Sequence, residues 1–228
     1  IAGLSLAAAL AVVQLATTPR SSFAKGVADE ALPEIPAGSV PILGSEDAPY
    51  TVTLLFDYQC SHCRNIHTLL DEVVAKSDGQ IAFRLCPTPL SVHCNRYIPH
   101  MDSDPFEGSC DMARYALALW YYAPQQFRQY DEWMFAQSQP SGWHPRSVAD
   151  ARACAQELLQ KDSVSLDDVE GDMRIRDAIA LHTEILGRTS GNGDGGIPRM
   201  IFGQNWITPE ADDADALLAD IMSQLIVR

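Results

Sequence analysis

The chain has 228 residues, enough for one generous domain, and a 46% hydrophobic share that is ordinary for a globular protein with a sizeable core. Sixteen Lys and Arg against 30 Asp and Glu leave a net charge of -14, which disfavours nucleic acid as a partner and unassisted contact with anionic lipid. Six cysteines, Cys60, Cys63, Cys86, Cys94, Cys110 and Cys154, are too sparse for a small disulfide-stapled scaffold, so most of the fold must rest on its core.

Residues 1–18 are expected to meet a membrane. The run from Ile1 to Ala16 carries no charge and has the composition of a signal-peptide apolar region or of the end of a transmembrane helix. Ser22-Phe23-Ala24 has the small-x-small pattern of a cleavage site, so export and anchoring both stay open, and either places the rest of the chain outside the cytoplasm. Residues 19–44 are rich in Pro, Ala, Gly and Ser without sustained periodicity and read as a linker, with order expected from about Ile42. Residues 45–228 read as the folded domain.

Thr51 to Asp57, TVTLLFD, is a nearly continuous β-favouring run of the kind found in a central strand. It ends at Cys60-Ser61-His62-Cys63. Ile66, Leu69, Leu70, Val73 and Val74 then follow the i, i+3, i+4, i+7, i+8 stripe of an amphipathic helix, which Ser77-Asp78-Gly79 stops. Ile81, Phe83 and Leu85 alternate as a second strand, and a right-handed crossover sets it parallel to the first. Helices are predicted over residues 107–122, 125–137, 147–160 and roughly 170–186. After the Gly-rich loop 190–196 come Ile197-Pro198, a strand over 199–202, a turn at 203–205 and a short return through Trp206-Ile207. Thr208-Pro209 reads as the N-cap and first position of a closing helix that buries Leu217, Leu218, Ile221, Met222, Leu225 and Ile226.

Thiol-disulfide exchange needs an exposed thiolate and a second thiol close enough to close the ring. A CxxC at a helix start supplies both, because residues i and i+3 share a helical face with Cβ atoms roughly 5–6 Å apart. Cys60, at the N-terminus, is stabilised as a thiolate by unpaired backbone N–H groups and the helix dipole, so it is the expected nucleophile and Cys63 the resolving thiol. The motif lacks a second CxxC and a downstream HxxxH, and only His62 and His67 lie near it, so no metal is expected.

FDYQCSHCRNIHTLLDEV, followed far downstream by GGIPRMIFGQNWI, resembles the DsbA-type branch of the thioredoxin superfamily, including the thioredoxin-like domains attached to vitamin K epoxide reductase homologues. The resemblance spans about residues 45–228. It implies an α/β thioredoxin fold with a helical insertion, about residues 95–190, between the βαβ unit and the cis-proline strand. It further implies that Pro198 is that cis-proline and that Ile197 presents backbone groups to a bound client. No cofactor is implied beyond a Cys60–Cys63 disulfide. The implied partners are protein thiol or disulfide clients and a membrane redox partner of the vitamin K epoxide reductase or DsbB type, in the periplasm or an equivalent extracytoplasmic space. His62 precedes the resolving cysteine, as in DsbA-type proteins and protein disulfide isomerases, where an imidazole can stabilise the thiolate and make the disulfide a donor. A reductase or isomerase, a chaperone-like binding module and a metal-delivery protein are the alternatives.

Two details depart from or extend that pattern. The branch commonly buries an acid six positions before the first cysteine, where this chain has Leu54. Asp57 is nearer in sequence but strand alternation aims it elsewhere, so it stays outside the expected catalytic set. Cys94 and Cys110 flank a Pro-containing loop, and an oxidised link between them and two separate thiols both stay open.

Overall fold

A computed structural model describes residues 24–28, 30–100, 102–169, 171–190 and 196–226. The apolar run Ile1 to Ala16, Ser22 and Phe23 of the candidate cleavage site, and residues 191–195 of the Gly-rich loop lie outside them. Among the described residues no helix is long and apolar enough to cross a membrane.

In chain order the elements are β1 (Ala24–Val27), β2 (Ile42–Leu43), β3 (Tyr50–Phe56), α1 (Ser61–His67), α2 (Leu70–Lys76), β4 (Ile81–Pro87), α3 (Ser109–Tyr122), α4 (Pro124–Phe135), α5 (Val148–Gln160), α6 (Leu166–Val169), α7 (Met173–Thr189), β5 (Arg199–Phe202), β6 (Asn205–Thr208) and α8 (Ala214–Ile226). The six strands form one sheet in the order β1-β6-β5-β3-β4-β2. β3 and β4 are parallel, and β5 returns antiparallel on the other side of β3. Val52 to Phe56 are buried throughout, as a central strand with both faces covered requires. Burying Leu54, Leu55 and Phe56 contributes roughly 1.5–3 kcal/mol each relative to exposure.

The stripe after the CxxC is not one helix. The Thr68 N–H turns back to the Arg64 and Ile66 carbonyls and closes α1, and α2 restarts at Leu70. Ile66, Leu70 and Val73 stay buried in the core across the break. Left-handed backbone at Asp78 (φ 50°) and Gly79 (φ 74°) then ends α2. The five helices of the insertion, α3 to α7, occupy 109–189 between β4 and β5. Trp120, Tyr121, Tyr122, Trp133, Met134 and Phe135 all pack on the core there.

Two expectations are corrected. The stretch 19–44, read as a linker ordered only from Ile42, contains β1, which pairs antiparallel with β6 from Ala24↔Thr208 to Val27↔Asn205. Val40 is buried as well, and the Leu32 N–H donates to the Gln204 side chain at 3.1 Å. A four-residue edge strand has too little periodicity to read locally, and its pairing partner lies far along the chain. Gly26 carries the contact: a Cβ there would stand 2.5 Å from the Trp206 ring. The closing helix does not start at Thr208-Pro209. Thr208 ends β6, and the Asp213 carboxylate accepts the Ala216 N–H at 2.8 Å as the cap of α8.

Candidate active site

β3 runs into the site through Asp57, Tyr58 and Gln59. The Cys60 N–H donates to the Asp57 carbonyl at 3.1 Å, which turns the chain so that Cys60 becomes the N-cap of α1 with extended backbone (φ -87°, ψ 119°). Its sulfur accepts the Cys63 N–H at 3.3 Å, using a thiol where helices usually use a hydroxyl or carboxylate. Cys60 is 9% exposed and Cys63 is 1% exposed, so an incoming group meets Cys60 first. Both are free thiols in this structure. A hydrogen bond from Cys63 holds the Cys60 thiol below its ordinary value, helped by the Cys63 and His62 backbone N–H groups and opposed by burial and by Asp57. Burial, followed by the bond to Cys60, pushes Cys63 well up. The pair is thus split into an acidic thiol that can attack and a thiol that holds its proton.

The Ile197–Pro198 peptide bond is cis, and the Cys60 sulfur lies 3.8 Å from the Ile197 carbonyl oxygen. Residues 137 positions apart therefore meet at the thiol. β5 continues from Pro198 into Arg199, whose fully buried guanidinium donates to the Thr189 carbonyl and to the Thr189 hydroxyl at 3.1 Å. It also stacks 4.1 Å over the Trp206 ring. A cation at the C-terminal end of α7 complements the helix dipole and anchors the strand that carries Pro198.

His62 is solvent-exposed, and among the described residues no hydrogen bond joins its imidazole to Cys60; its backbone N–H is the part that faces the thiol. With Asn65, Ile66 and the Pro209–Asp212 turn it borders a cleft of about 350 Å³ beside the cysteines. Among the described residues no group of three or more His, Cys, Asp or Glu side chains could hold a metal ion. His67 instead points into the core, where its Nε2 meets the Asp131 carboxylate at 2.8 Å, and His182 is buried against the Pro87 carbonyl, with burial lowering it to about 4.

Asp57 is the residue that sequence reasoning set aside and the tertiary structure brings to the thiols. It is 2% exposed, its two oxygens accept the Gln59 and Leu90 N–H groups at 2.7 Å each, and burial raises it from 3.8 to about 6 despite those bonds. Leu54, six positions before Cys60, is fully buried hydrocarbon. An aspartate followed two residues later by an N–H it can accept is an Asx turn, a signal in the sequence itself; its desolvation by the loop after β4 is not. A carboxyl bound to its proton more tightly folded than unfolded favours the folded state at low pH. Stability should therefore fall as pH rises from about 4 to about 6 and level off above, by ~3 kcal/mol from this group. Thermal unfolding across that window should show the decline in the wild type and lose it in Asp57→Asn. Equal slopes in both proteins would refute the assignment.

Cys94 and Cys110 are joined by a disulfide. Cys86 is buried on β4 and Cys154 is half-buried on α5, both as free thiols.

A parallel-centred sheet, a cysteine pair at the N-cap of the crossover helix and a cis-proline against the exposed sulfur together define a thioredoxin-fold protein with a dithiol centre. The sequence matches the thioredoxin family model Thioredoxin_4 over residues 37–165, more than half of the chain. The chain belongs to the thioredoxin family. No curated protein sequence matches it. Its fold is similar to that of a periplasmic thioredoxin-like protein from Salmonella enterica serovar Typhimurium, at 22% identity and a TM-score of 0.60 over 83% of this chain and 91% of that one. The catalytic domain of Proteus mirabilis ScsC matches at 17% identity and a TM-score of 0.58, over 83% and 90%. The thiol-disulfide exchange protein alpha-DsbA2 from Wolbachia pipientis matches at 18% identity and a TM-score of 0.54, over 82% and 87%.

Proposed function

We propose that this chain is an extracytoplasmic thiol-disulfide oxidoreductase that donates a disulfide to protein clients through Cys60 and Cys63. The observation that carries the reading is the N-cap position of Cys60, which leaves it acidic, less buried than its partner and against the Ile197 carbonyl. In the oxidised form a client thiolate attacks Cys60, the Cys60–Cys63 bond breaks, and Cys63 leaves with the electron pair and takes a proton. A second client thiolate then attacks the client sulfur bound to Cys60, and Cys60 leaves as the thiolate that its surroundings stabilise. One client disulfide is gained and one protein dithiol is formed, so turnover requires an oxidant; a membrane partner of the DsbB or vitamin K epoxide reductase type is the class proposed. Export is supported by the Cys94–Cys110 bond, which suits an oxidising compartment, and by the periplasmic origin of one structural relative.

Stabilising the Cys60 thiolate stabilises the reduced form, so the couple should be more oxidising than a thioredoxin at roughly -270 mV. Equilibration with glutathione buffers, read by alkylation and mass, measures it. A value at or below thioredoxin's would reverse the direction and make the protein a reductase. Since the imidazole of His62 makes no bond to Cys60 among the described residues, His62→Ser should shift the potential less than loss of an N–H donor would.

A further inference from the structure

We infer that Cys94–Cys110 is a second exchange site, opened at Cys94 by a small carboxylate-bearing thiol of the glutathione class. The two ends of this disulfide are unequal. Cys94 is half-buried and forms part of the wall of a cleft of about 660 Å³, whereas Cys110 is 5% exposed in the first turn of α3. Of the two cysteines, Cys94 is the one the cleft offers to an incoming thiolate. The cleft wall has Pro33 and Leu181 as apolar residues, His93 and Arg96 as basic groups and Glu184 as an acid. Arg96 is paired with Glu184 yet 75% exposed, which leaves its guanidinium open to a ligand carboxylate.

The leaving side is built for the same step. Cys110 is the second residue of a 14-residue helix whose N-cap, Gly108, supplies no side-chain bond to the first turn. Helix-end N–H groups and the dipole stabilise a thiolate there and offset part of the cost of its burial. The adjacent Asp111 carboxylate is held by Arg114. In the reaction the external thiolate attacks the Cys94 sulfur, a new S–S bond forms there, and the Cys94–Cys110 bond breaks. Its electron pair goes to Cys110, which takes a proton from water. One disulfide replaces another and no further oxidant is consumed.

The loop so opened is the one that encloses Asp57. Leu90 donates to Asp57 Oδ2, the Ser91 N–H meets the Ser109 hydroxyl at 3.2 Å, and Asp104 ties Ser91 and Val92 to Phe106. Both arms of the disulfide thus end beside the carboxyl under the Cys60–Cys63 pair, so exchange at Cys94 would be felt at the first centre.

The test uses the full chain carrying Cys60→Ser and Cys63→Ser, which removes the proposed catalytic pair and so separates this inference from the proposed function. The protein is incubated with reduced glutathione under native conditions, quenched in acid and peptide-mapped, with helical circular dichroism recorded alongside. One glutathione on Cys94, a free thiol at Cys110 and an unchanged helical spectrum are expected. An adduct on Cys110, or a disulfide that opens only as the helical spectrum is lost, would overturn the inference. Arg96→Glu should slow the reaction with glutathione about three-fold relative to cysteamine, a cationic thiol. An unchanged ratio would remove the carboxylate-bearing thiol from the assignment.

Discussion

Cys60→Ser should abolish exchange with protein clients, whereas Cys63→Ser should still attack and then accumulate mixed disulfides that cannot resolve. The expectation follows from the unequal surroundings of the two sulfurs. Cys60 accepts the Cys63 N–H and is held acidic, while Cys63 is almost fully enclosed and kept protonated. Refolding of a reduced or scrambled disulfide protein measures turnover, and non-reducing electrophoresis after acid trapping reads the intermediates. Full activity in Cys60→Ser, or equal alkylation of the two thiols in the wild type, would defeat the assigned roles. Loss of Cys60 should leave stability nearly unchanged, because the N-cap interaction it makes is a weak thiol acceptor and serine is a good substitute there.

The largest expected effect on stability belongs to Asp131, far from the thiols in sequence. Its carboxylate is fully buried and accepts from the Tyr58 hydroxyl at 3.0 Å, meets His67 Nε2 at 2.8 Å and pairs with Arg128 at 3.3 Å. Tyr58 lies between β3 and the CxxC, His67 ends α1, and Asp131 stands on α4, so one carboxylate joins the helical insertion to both sides of the active-site turn. Phe56 and Phe135 pack around the His67 ring, at 5.0 and 4.3 Å between centroids, and keep water away. Asp131→Ala leaves a buried hydroxyl and a buried imidazole without their acceptor, in a place where His67 Nδ1 already lacks a partner among the described residues. The cost should be about 3–5 kcal/mol, as for other buried pairs broken on one side. For a chain of this size that lowers the thermal midpoint by roughly 10 °C. Differential scanning calorimetry would measure it, and a shift below roughly 2 °C would show that the network adds little. Replacing the whole cluster with apolar residues should cost less than the single change, since no group would then be stranded.

Much of the dithiol centre was legible locally. TVTLLFD marks a buried strand by its unbroken apolar run, the CxxC sits where strand gives way to helix, and the stripes of α3, α4, α5 and α7 mark the insertion, because each pattern repeats within one or two turns of backbone. Pro198 and the paired motifs pointed to the thioredoxin fold by resemblance. What the local patterns could not carry were facts made by residues distant in the chain. β1 has four residues and no periodicity, and it exists through hydrogen bonds to β6 and the space that Gly26 leaves for Trp206. Asp57 looked like a strand-end residue pointing elsewhere, and it became a buried acid because the loop after β4 covers it. His62 looked like the thiolate's partner and is exposed, while His67, an unremarkable helix residue in sequence, is enclosed by α4. The number and types of residues set which chemistry was available to this chain. Desolvation and partner choice, which depend on what packs against each group, decided which of those residues the tertiary structure put to use.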